Sequence, residues 1–578
     1  MADIQPQGLS RGLTNYGDAE FSKYLRRSFA SSMGYSREML DRPIVGICHA
    51  ASGFNNCHRL IPELIDAVKR GVLCAGALPI EFPTISLGEV FLVPTSLKFR
   101  NLMSMDVEEM IRSQPMDAVV LIGGCDKTVP AQLMGAVSAD LPVIQLVTGP
   151  MSTSRYHGER LGACTDCRRF WARYRSGEIS DHEIDAVEQR LASTAGTCAV
   201  MGTASTMASM AEALGMMPAG AAAVPAVDAD RLRIAEETGR AAVALIRSGH
   251  RPSAIINIQA MENALRVLLA IGGSTNAVIH LAAIAGRLGL PFDLARLNEL
   301  SDTTPVIVNL KPTGLYYMED LAAAGGIPAV MRELRTLLHL DCPTVTGETI
   351  GQRLAAWSSW VDRNVIHSID DPVSPDGGLA ILFGNLAPRG AVIKRSAADP
   401  RLFEKEGRCV VFASLDDLAS RIDDPDLEVS PDDILVLKNA GPSSASAMPE
   451  AGYLPIPKKL GRLGVKDMVR ISDARMSGTA FGTVVLHVTP DAASGGPLAV
   501  VQTGDRIRLS VRERRLDLLV EAAELEHRLS RLDLERSSAG SSARGYSWLY
   551  DRFITQADQG CDFTFLRKDH GAAALAGH

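Results

Sequence analysis

The chain has 578 residues, of which 46% are hydrophobic and 22% are charged, so it is long enough to bury more than one large core. Its 59 Lys and Arg residues against 67 Asp and Glu residues give a formal net charge of −8, which leaves no basic surplus for binding nucleic acid or an anionic membrane. Ten cysteines are too few for a disulfide framework at this length, which excludes the disulfide-stapled secreted class.

The first eleven residues are polar, and no signal peptide is predicted from them. The most membrane-like stretch, residues 267–286, has no Asp, Glu, Lys or Arg except Arg266 just before it, but has Gly-Gly-Ser-Thr-Asn at its centre, which would expose backbone polar groups in lipid. We therefore interpret it as two buried helices joined by a turn. The sequence predicts a soluble cytoplasmic protein with reduced thiols and no membrane partner.

Short apolar runs alternate with helical stretches in the first two thirds of the chain. The predicted elements include strands at residues 43–48, 118–122 and 143–147 and helices at residues 59–71 and 201–214. This alternation predicts an α/β fold with a parallel sheet covered by helices on both faces. Such sheets place ligand sites beyond the C-terminal ends of their strands, where loops 48–57 and 123–127 fall.

The pattern changes after residues 374–378, which read Ser-Pro-Asp-Gly-Gly. Beyond them, short predicted strands are separated by turn residues, at positions 379–383, 408–412, 434–438 and 506–511. We predict a large α/β domain over residues 1–375 and a smaller β-rich, barrel-like domain over residues 376–578.

Residues 123–128, Gly-Gly-Cys-Asp-Lys-Thr, place a thiol, a carboxylate and an amine on one tight loop after a buried strand. A soft thiolate suits iron and a hard carboxylate suits magnesium, so one loop could serve two neighbouring metals. The alternative is an ordinary βα turn with a buried cysteine and a solvated Asp–Lys pair. The loop by itself leaves both interpretations open.

The remaining cysteines divide by their context. Cys57 and Cys198 lie in loops beside regular elements, although a lone cysteine there is more often a small core residue. Cys164 and Cys167 form the only CxxC, and because no second such pair accompanies it, we do not interpret it as a zinc or thioredoxin-like site. We assign this pair to the packing or incidental residues, together with Cys48, Cys74, Cys342, Cys409 and Cys561.

Three further segments carry polar groups beside turn formers. Residues 473–482 form a Gly/Ser/Thr loop that resembles an anion-binding turn, but the P-loop pattern is absent. Glu89 and Glu450 each stand beside a turn former, and a lone glutamate is normally a solvated charge. Taken alone, none of these segments decides a function.

Taken together, these segments closely resemble the dihydroxy-acid and sugar-acid dehydratase family, which includes the dihydroxy-acid, phosphogluconate and pentonate dehydratases. The resemblance covers nearly the whole chain. The matching segments, in chain order, are PIVGIC, EFPTISLGE, FRNLMSMDVEE, GGCDKT, AGTCAVMGTASTMASMAEALG, GGSTNAVIHLAAIAGR, GNLAPRGAVIKRSAADP, DARMSGTAFG and QGCDFTFL.

The resemblance implies an iron–sulfur cluster held by Cys57, Cys125 and Cys198. Three thiolates leave one iron position open, so that iron can act as a Lewis acid. Relatives in the sugar-acid branch indicate a [2Fe-2S] cluster, with [4Fe-4S] as the alternative.

The resemblance also implies a Mg²⁺ ion with ligands from Glu89, Asp126, Lys127 and Glu450. An ammonium group cannot bind a cation. The resemblance implies that Lys127 acts as a carbamate, as the matching lysine does in better-studied relatives. The serine that matches the proposed base of the family is Ser477.

The implied activity is that of a hydro-lyase. It would dehydrate a 2,3-dihydroxy carboxylate to a 2-keto-3-deoxy acid without net redox change. Segments GTASTMASM, DARMSGTAFG and FRNLMSMDVEE resemble the sugar-acid members, which favours an aldonate such as arabinonate or xylonate.

The alternatives are dihydroxy-acid dehydratase of branched-chain amino-acid biosynthesis, then a phosphorylated aldonate. A non-catalytic iron–sulfur electron-transfer or sensor protein is the alternative from another class, and it would need a fourth cysteine ligand. Family members also suggest a homodimer or homotetramer with the site at the domain interface.

Two segments depart from the family pattern. Residues 441–450 are poorer in glycine than in relatives, which restricts positive φ angles and predicts a different loop shape or substrate fit. Asn56 and His58 flank Cys57 where many relatives have proline and asparagine, which predicts an altered substrate preference.

Overall fold

A computed structural model describes residues 7–535 and 544–568. Its N-terminal region contains a four-stranded sheet in which all neighbouring strands are parallel, in the order β2-β1-β3-β4. The strands are β1 (Ile44–His49), β2 (Leu78–Pro83), β3 (Ala118–Gly123) and β4 (Val143–Val147). Every residue of β3 is buried, as expected for a central strand covered on both faces.

Helices flank this sheet and continue past it. Helices α3 and α9 pack against each other, and α4 packs against α5. A short antiparallel pair, β5 (Ser154–Tyr156) and β6 (Glu159–Leu161), lies between β4 and α6. The helices of this region are α1 (Ala19–Ser31), α2 (Arg37–Leu40), α3 (Ile61–Cys74), α4 (Ser96–Ser113), α5 (Thr128–Ala139), α6 (Thr165–Ser176), α7 (Asp181–Leu191), α8 (Thr203–Ala213), α9 (Ala229–Ser248), α10 (Pro252–Ile255), α11 (Ile258–Ala270), α12 (Asn276–Leu288), α13 (Leu294–Asp302), α14 (Met318–Ala323), α15 (Gly326–Glu333) and α16 (Ile350–Ala356).

The C-terminal region is built on an eight-stranded mixed sheet in the order β14-β13-β9-β10-β11-β12-β8-β7. A bridge between Phe383, just after β7, and Arg515, in β14, joins the two edges and nearly closes the sheet into a barrel. Its elements are β7 (Ala380–Leu382), β8 (Gly390–Ile393), β9 (Glu404–Phe412), α17 (Leu415–Arg421), β10 (Ile434–Leu437), α18 (Lys458–Arg462), β11 (Arg470–Ser472), β12 (Val484–Thr489), β13 (Arg506–Ser510), β14 (Arg515–Leu518), α19 (Ala522–Glu535) and α20 (Gly545–Phe553).

The predicted α/β fold with a barrel-like C-terminal part is therefore confirmed. The apolar stretch at residues 267–286 forms the end of α11, a turn and α12, as predicted. Among the described helices, none combines the length and the apolar character that a membrane crossing requires.

Residues of the N-terminal and C-terminal regions pack into one hydrophobic core. The largest hydrophobic core extends from β1 to Met476, Ala480 and Leu486 in the C-terminal region. The predicted boundary segment, residues 374–378, is hydrogen-bonded to the N-terminal region, because Gly377 donates a backbone hydrogen bond to Ser301 and Gly378 donates one to Leu269. The domain division at residue 375 stays a prediction, and the two sheets lie on either side of it.

Candidate active site

Loops from both regions meet at one place. Cys57, Glu89 and Asp126 follow strands β1, β2 and β3, at the C-terminal edge of the parallel sheet where the sequence predicted a site. Glu450 follows β10 and Ser477 lies between β11 and β12, so the C-terminal region supplies the other side of the site.

Three carboxylates form the polar centre of this site. Glu89, Asp126 and Glu450 each offer an oxygen, and these oxygens all lie within 4.8 Å of one another. The side chains keep only 16–20% of their surface exposed. Three carboxylates this close repel one another unless cations are present.

Lys127 and Arg475 supply cationic charge within the protein. The Nζ of Lys127 lies 3.2 Å from Glu89 and 3.6 Å from Asp126, and its side chain is fully buried. The buried guanidinium of Arg475 donates to Glu89 at 2.9 Å and to Glu450 at 2.8 Å. Arg475 therefore connects a loop of the parallel sheet to a loop of the barrel.

The pKa shifts of two carboxyls differ although they share Arg475. Burial raises the pKa of Glu89, but the charges of Arg475 and Lys127 and a hydrogen bond from Ser96 outweigh it and hold the pKa well below its ordinary value. Burial and the charge of Glu89 raise the pKa of Glu450 above its ordinary value, against the opposing charges of Arg475 and Lys127. Adding a divalent cation would therefore favour the ionised form of Glu450 most.

This donor set fits Mg²⁺. The ion takes oxygen ligands, and carboxylates are its usual protein donors. The Oδ1 atom of Asn276 is buried without a hydrogen-bond partner, while its Nδ2 lies 3.5 Å from Glu450. Lys127 fits as a ligand only after its Nζ loses its positive charge, as in a carbamate.

The thiols of Cys57 and Cys125 contact each other near Asp126. A hydrogen bond with Cys125 and burial raise the pKa of Cys57. Cys125 is 5% exposed and precedes Asp126 directly, so one loop contributes to both the thiol group and the carboxylate group.

His58 holds these two thiol loops together. Its Nδ1 lies 2.6 Å from the carbonyl oxygen of Ala50, while its Nε2 accepts hydrogen bonds from the backbone N–H groups of Gly124 and Cys125 at 3.1 and 3.2 Å. Burial lowers the pKa of His58 to about 4, so the ring is neutral and Nε2 is free to accept. A Cβ on Gly124 would lie 1.8 Å from the hydroxyl of Thr148, so this turn requires glycine.

Cys198 reaches the same region from the loop before α8. A hydrogen bond with Cys164 lowers the pKa of Cys198, but burial and the charges of Asp126 and Cys57 outweigh it and raise the pKa above its ordinary value. Among the described residues, the three sulfurs do not form a group within 4.8 Å of one another. Three half-buried or buried thiols fit the ligand set of an iron–sulfur cluster with one iron position left open.

The CxxC pair was predicted to be a pair of packing or incidental residues, and it packs against a hydrophobic cluster beside Cys198. The Sγ of Cys164 lies 3.2 Å from the Sγ of Cys198. The contact was missed because 34 residues separate the two cysteines and no local pattern links them.

Ser477 is half-buried in the loop of Arg475. Its Oγ lies 2.8 Å from the Oγ1 of Thr479. Beneath the loop, the fully buried Nζ of Lys394 donates to the carbonyl oxygen of Gly478 at 3.3 Å. Burial lowers the pKa of Lys394 to about 7. A Cβ on Gly478 would lie 2.7 Å from the Cβ of Ser274, so the loop packs closely against the N-terminal region.

The glycine-poor loop at residues 441–450 still reaches left-handed backbone conformations. Ala447 and Met448 have φ angles of 53° and 59°. Backbone hydrogen bonds from Ala447 to Ser444 and from Met448 to Gly441 hold this conformation, and Arg475 donates to the carbonyl of Met448 at 2.8 Å. The loss of glycine thus does not prevent positive φ angles here, and Glu450 still reaches Arg475.

Comparison with known proteins identifies the family of the chain. A model of the dihydroxy-acid/6-phosphogluconate dehydratase N-terminal domain matches residues 42–353, and the model of the C-terminal domain matches residues 364–561. The chain belongs to the dihydroxy-acid/6-phosphogluconate dehydratase family. It is therefore a dehydratase, that is, a hydro-lyase of this dihydroxy-acid family.

Three similar proteins match the dehydratase almost from end to end. A putative dehydratase IlvD1 of Rhizobium meliloti (strain 1021) is 46% identical over 561 residues, 97% of each chain. An L-arabinonate dehydratase of Rhizobium leguminosarum bv. trifolii (strain WSM2304) is 45% identical over 96% of each chain. A 6-deoxy-6-sulfo-D-gluconate dehydratase of Pseudomonas putida is 44% identical over 94% of each chain.

Proposed function

We propose that the dehydratase converts an aldonate, specifically a pentonate such as arabinonate or xylonate, into the 2-keto-3-deoxy acid. The proposal rests on the contacts of Arg475, whose guanidinium pairs with both Glu89 and Glu450. Arg475 stands two residues before Ser477 in the chain. It places a serine hydroxyl in the same loop as the partner of two carboxylates. The full-length similarity to an L-arabinonate dehydratase supports the substrate class.

The proposed cofactors follow from the two donor sets. Glu89, Asp126, Glu450 and Lys127 as its carbamate would hold Mg²⁺, and Cys57, Cys125 and Cys198 would hold a [2Fe-2S] cluster. When bound, Mg²⁺ and an iron without a fourth protein ligand supply Lewis acidity for the carboxylate end and the 3-hydroxyl of the substrate.

The residues of the chain have separate roles in this proposal. Ser477 takes the proton from C2, the 3-hydroxyl leaves as water, and the enol becomes the 2-keto acid, so no net redox change occurs. Serine accepts a proton only as an alkoxide, and nearby positive charge must stabilise that state. Lys394 carries such charge when protonated and contacts the carbonyl of Gly478, next to Ser477.

Arg475 is a positioning residue in this scheme. Its fork-shaped guanidinium fixes Glu89 and Glu450 relative to each other, which keeps the oxygen donors of the two regions together. Thr479 donates or accepts a hydrogen bond at the Ser477 hydroxyl and thereby orients it.

The test is an anaerobic reconstitution followed by a substrate panel. The cluster is rebuilt, Mg²⁺ is added, and 2-keto acid formation is measured for pentonates, hexonates, 6-phosphogluconate and 2,3-dihydroxyisovalerate. We expect the highest kcat/KM with a pentonate and at least about 100-fold loss in Ser477→Ala. The matched control, Ser359→Ala at an exposed serine, should retain wild-type activity.

Each other outcome has a clear meaning. Preference for 2,3-dihydroxyisovalerate would favour the branched-chain amino-acid alternative, and preference for 6-phosphogluconate would favour a phosphorylated aldonate. Full activity in Ser477→Ala would reject the proposed base.

A second candidate, an iron–sulfur electron-transfer or sensor function, is favoured by one observation. Cys164 offers the fourth thiol that a fully ligated cluster needs. This candidate predicts an unchanged cluster spectrum on adding substrate and a changed spectrum in Cys164→Ser, whereas the dehydratase proposal predicts the reverse.

A further inference from the structure

Three thiols lie in a row beside the proposed cluster. The Sγ of Cys164 lies 3.2 Å from that of Cys198, and the thiol of Cys164 is also hydrogen-bonded to that of Cys167. Cys164 thus stands between a proposed cluster ligand and the second cysteine of the CxxC.

The local structure holds these thiols in place. Cys164 is the residue that caps the start of α6, and Cys167 lies in the first turn of that helix. Asp166, between them, accepts hydrogen bonds from the backbone of Gly162 at 2.9 Å and from the hydroxyl of Tyr317 at 2.9 Å, and it pairs with Lys311 at 3.1 Å. These contacts fix the start of α6 against the loop that carries Cys198.

The separations suit disulfide exchange. Positions three residues apart at a helix start have Cα atoms about 5 Å apart, inside the range of about 4.4–6.8 Å seen in disulfides. All three cysteines are half-buried, so a small oxidant can reach them. The apolar neighbours Met151, Val200 and Tyr317 line the same cluster of side chains.

We propose that Cys164 and Cys167 form a dithiol site that takes oxidation away from Cys198 when the protein lacks its cluster. The proposal rests on the proposed function only for the role of Cys198 as a cluster ligand. The oxidant is a peroxide, and the final reductant is a second dithiol.

The steps balance as follows. The sulfur of Cys198 attacks a peroxide oxygen and becomes a sulfenic acid, and its thiol proton leaves in the first water. The thiol of Cys164 displaces a second water and forms a Cys164–Cys198 disulfide. The thiol of Cys167 then attacks the sulfur of Cys164, its proton passes to Cys198, and Cys198 leaves as a thiol. Two thiols and one hydrogen peroxide thus become one Cys164–Cys167 disulfide and two waters, and Cys198 is again able to bind iron.

Disulfide mapping tests the proposal on the full-length chain. Protein freed of iron is treated with one equivalent of hydrogen peroxide, alkylated, and analysed by peptide mass spectrometry. We expect a Cys164–Cys167 disulfide with alkylated Cys198 in the wild type, and an accumulated Cys164–Cys198 disulfide in Cys167→Ser. In Cys164→Ser we expect Cys198 to stop at the sulfenic acid after one equivalent, trapped there with dimedone, and to reach the sulfinic or sulfonic form when two or three equivalents are added, with several-fold less cluster on reconstitution.

The controls separate this proposal from the others. Cys74→Ser, at an exposed cysteine distant in sequence from the CxxC pair, should give the wild-type disulfide pattern. A Cys57–Cys125 disulfide as the main wild-type product, or over-oxidised Cys198 beside a reduced CxxC, would overturn the proposal. A changed cluster spectrum in unoxidised Cys164→Ser would also overturn it, because Cys164 would then be a ligand.

The disulfide pattern is read without substrate, so it does not depend on dehydratase activity. If Cys164→Ser fails to fold, as seen by circular dichroism, the Cys167→Ser result alone decides. If the disulfide exchange occurs in a protein that dehydrates no aldonate, this proposal is supported and only the proposed function is rejected.

Discussion

Arg475 donates a 2.9 Å hydrogen bond to Glu89 across 386 residues of sequence. The pair connects the loop after β2 of the parallel sheet to the loop between β11 and β12 of the barrel-like sheet. Because the same guanidinium also pairs with Glu450, the carboxylate group exists as a unit only when both regions are folded together.

Replacing Arg475 should therefore inactivate the protein. In Arg475→Met, Glu89 and Glu450 lose a shared buried partner, and we expect kcat/KM to fall by at least about 100-fold. Arg475→Lys should also be impaired, because an ammonium group cannot pair with two carboxylates as the guanidinium fork does. Added Mg²⁺ should not restore either variant, since the positions of the ligands have changed.

The control for this prediction is Arg462→Met at an exposed arginine of α18. The pH–activity profile gives a second measurement. The charge of Arg475 lowers the pKa of Glu89. The acidic limb of the pH–activity profile should therefore shift less from that of the wild type in Arg475→Lys than in Arg475→Met. Wild-type kcat/KM in Arg475→Met would contradict the role assigned to this residue.

His58 should control how firmly the proposed iron–sulfur cluster is held. In His58→Ala, the backbone N–H groups of Gly124 and Cys125 lose their acceptor, at a cost of about 1–3 kcal/mol in unfolding free energy. We expect the variant to lose its visible cluster absorbance faster than the wild type in the presence of a chelator. His182→Ala, at an exposed position of α7, is the matched control. Equal rates of cluster loss in the two variants would show that the loop does not need His58.

Lys127 should carry a carbamate in the active protein. Its Nζ lies 3.2 Å from Glu89, and only an uncharged or anionic form can join the carboxylates as a ligand. With carbon-13-labelled bicarbonate, we expect a carbamate NMR signal in the wild type that is absent in Lys127→Arg. Lys127→Arg should be inactive, whereas Lys311→Arg, at a half-buried lysine outside the carboxylate group, should retain the signal. Full activity after removal of carbon dioxide, with no carbamate signal, would contradict this prediction.

The parallel sheet and its loops could be predicted because the signal is local. Strand β4 lies at the predicted residues 143–147, and Cys57, Cys125 and Asp126 follow strands whose apolar runs are continuous in sequence. Strands β11 and β12, which flank the loop of Ser477, were not predicted. Glu450 and Ser477 could be assigned only through the family resemblance, since a lone glutamate and a Gly/Ser loop have many structural uses.

Arg475, His58 and Cys164 show what the sequence could not provide. The partners of Arg475 and Cys164 lie in other segments of the chain, and nothing in the spacing of one segment encodes a contact with another. His58 was noted only as a departure from relatives, and its two acceptor contacts depend on how β1 and β3 sit side by side. Lys394 lies in a segment that resembles the family, but the sequence does not indicate that its amine is buried beneath the serine loop.

Lys394 should make stability depend on pH. Burial lowers its pKa to about 7 in the folded protein, against an ordinary value of 10.5. Between these two values the unfolded chain binds a proton that the folded chain does not, so this residue makes unfolding less favourable as pH rises from about 7 to 10. The gain is on the order of 1 kcal/mol per pH unit, and it disappears as pH falls through the folded value.

Urea denaturation of wild type and Lys394→Met at several pH values measures this contribution directly. The difference in unfolding free energy, wild type minus variant, should grow from pH 7 to pH 10 and be flat below pH 6, where the lysine is protonated in both states. Lys466→Met, at an exposed lysine, corrects for the loss of one surface charge. A difference that does not change between pH 7 and pH 10 would mean that Lys394 stays charged beneath the serine loop, stabilised by the carbonyl of Gly478.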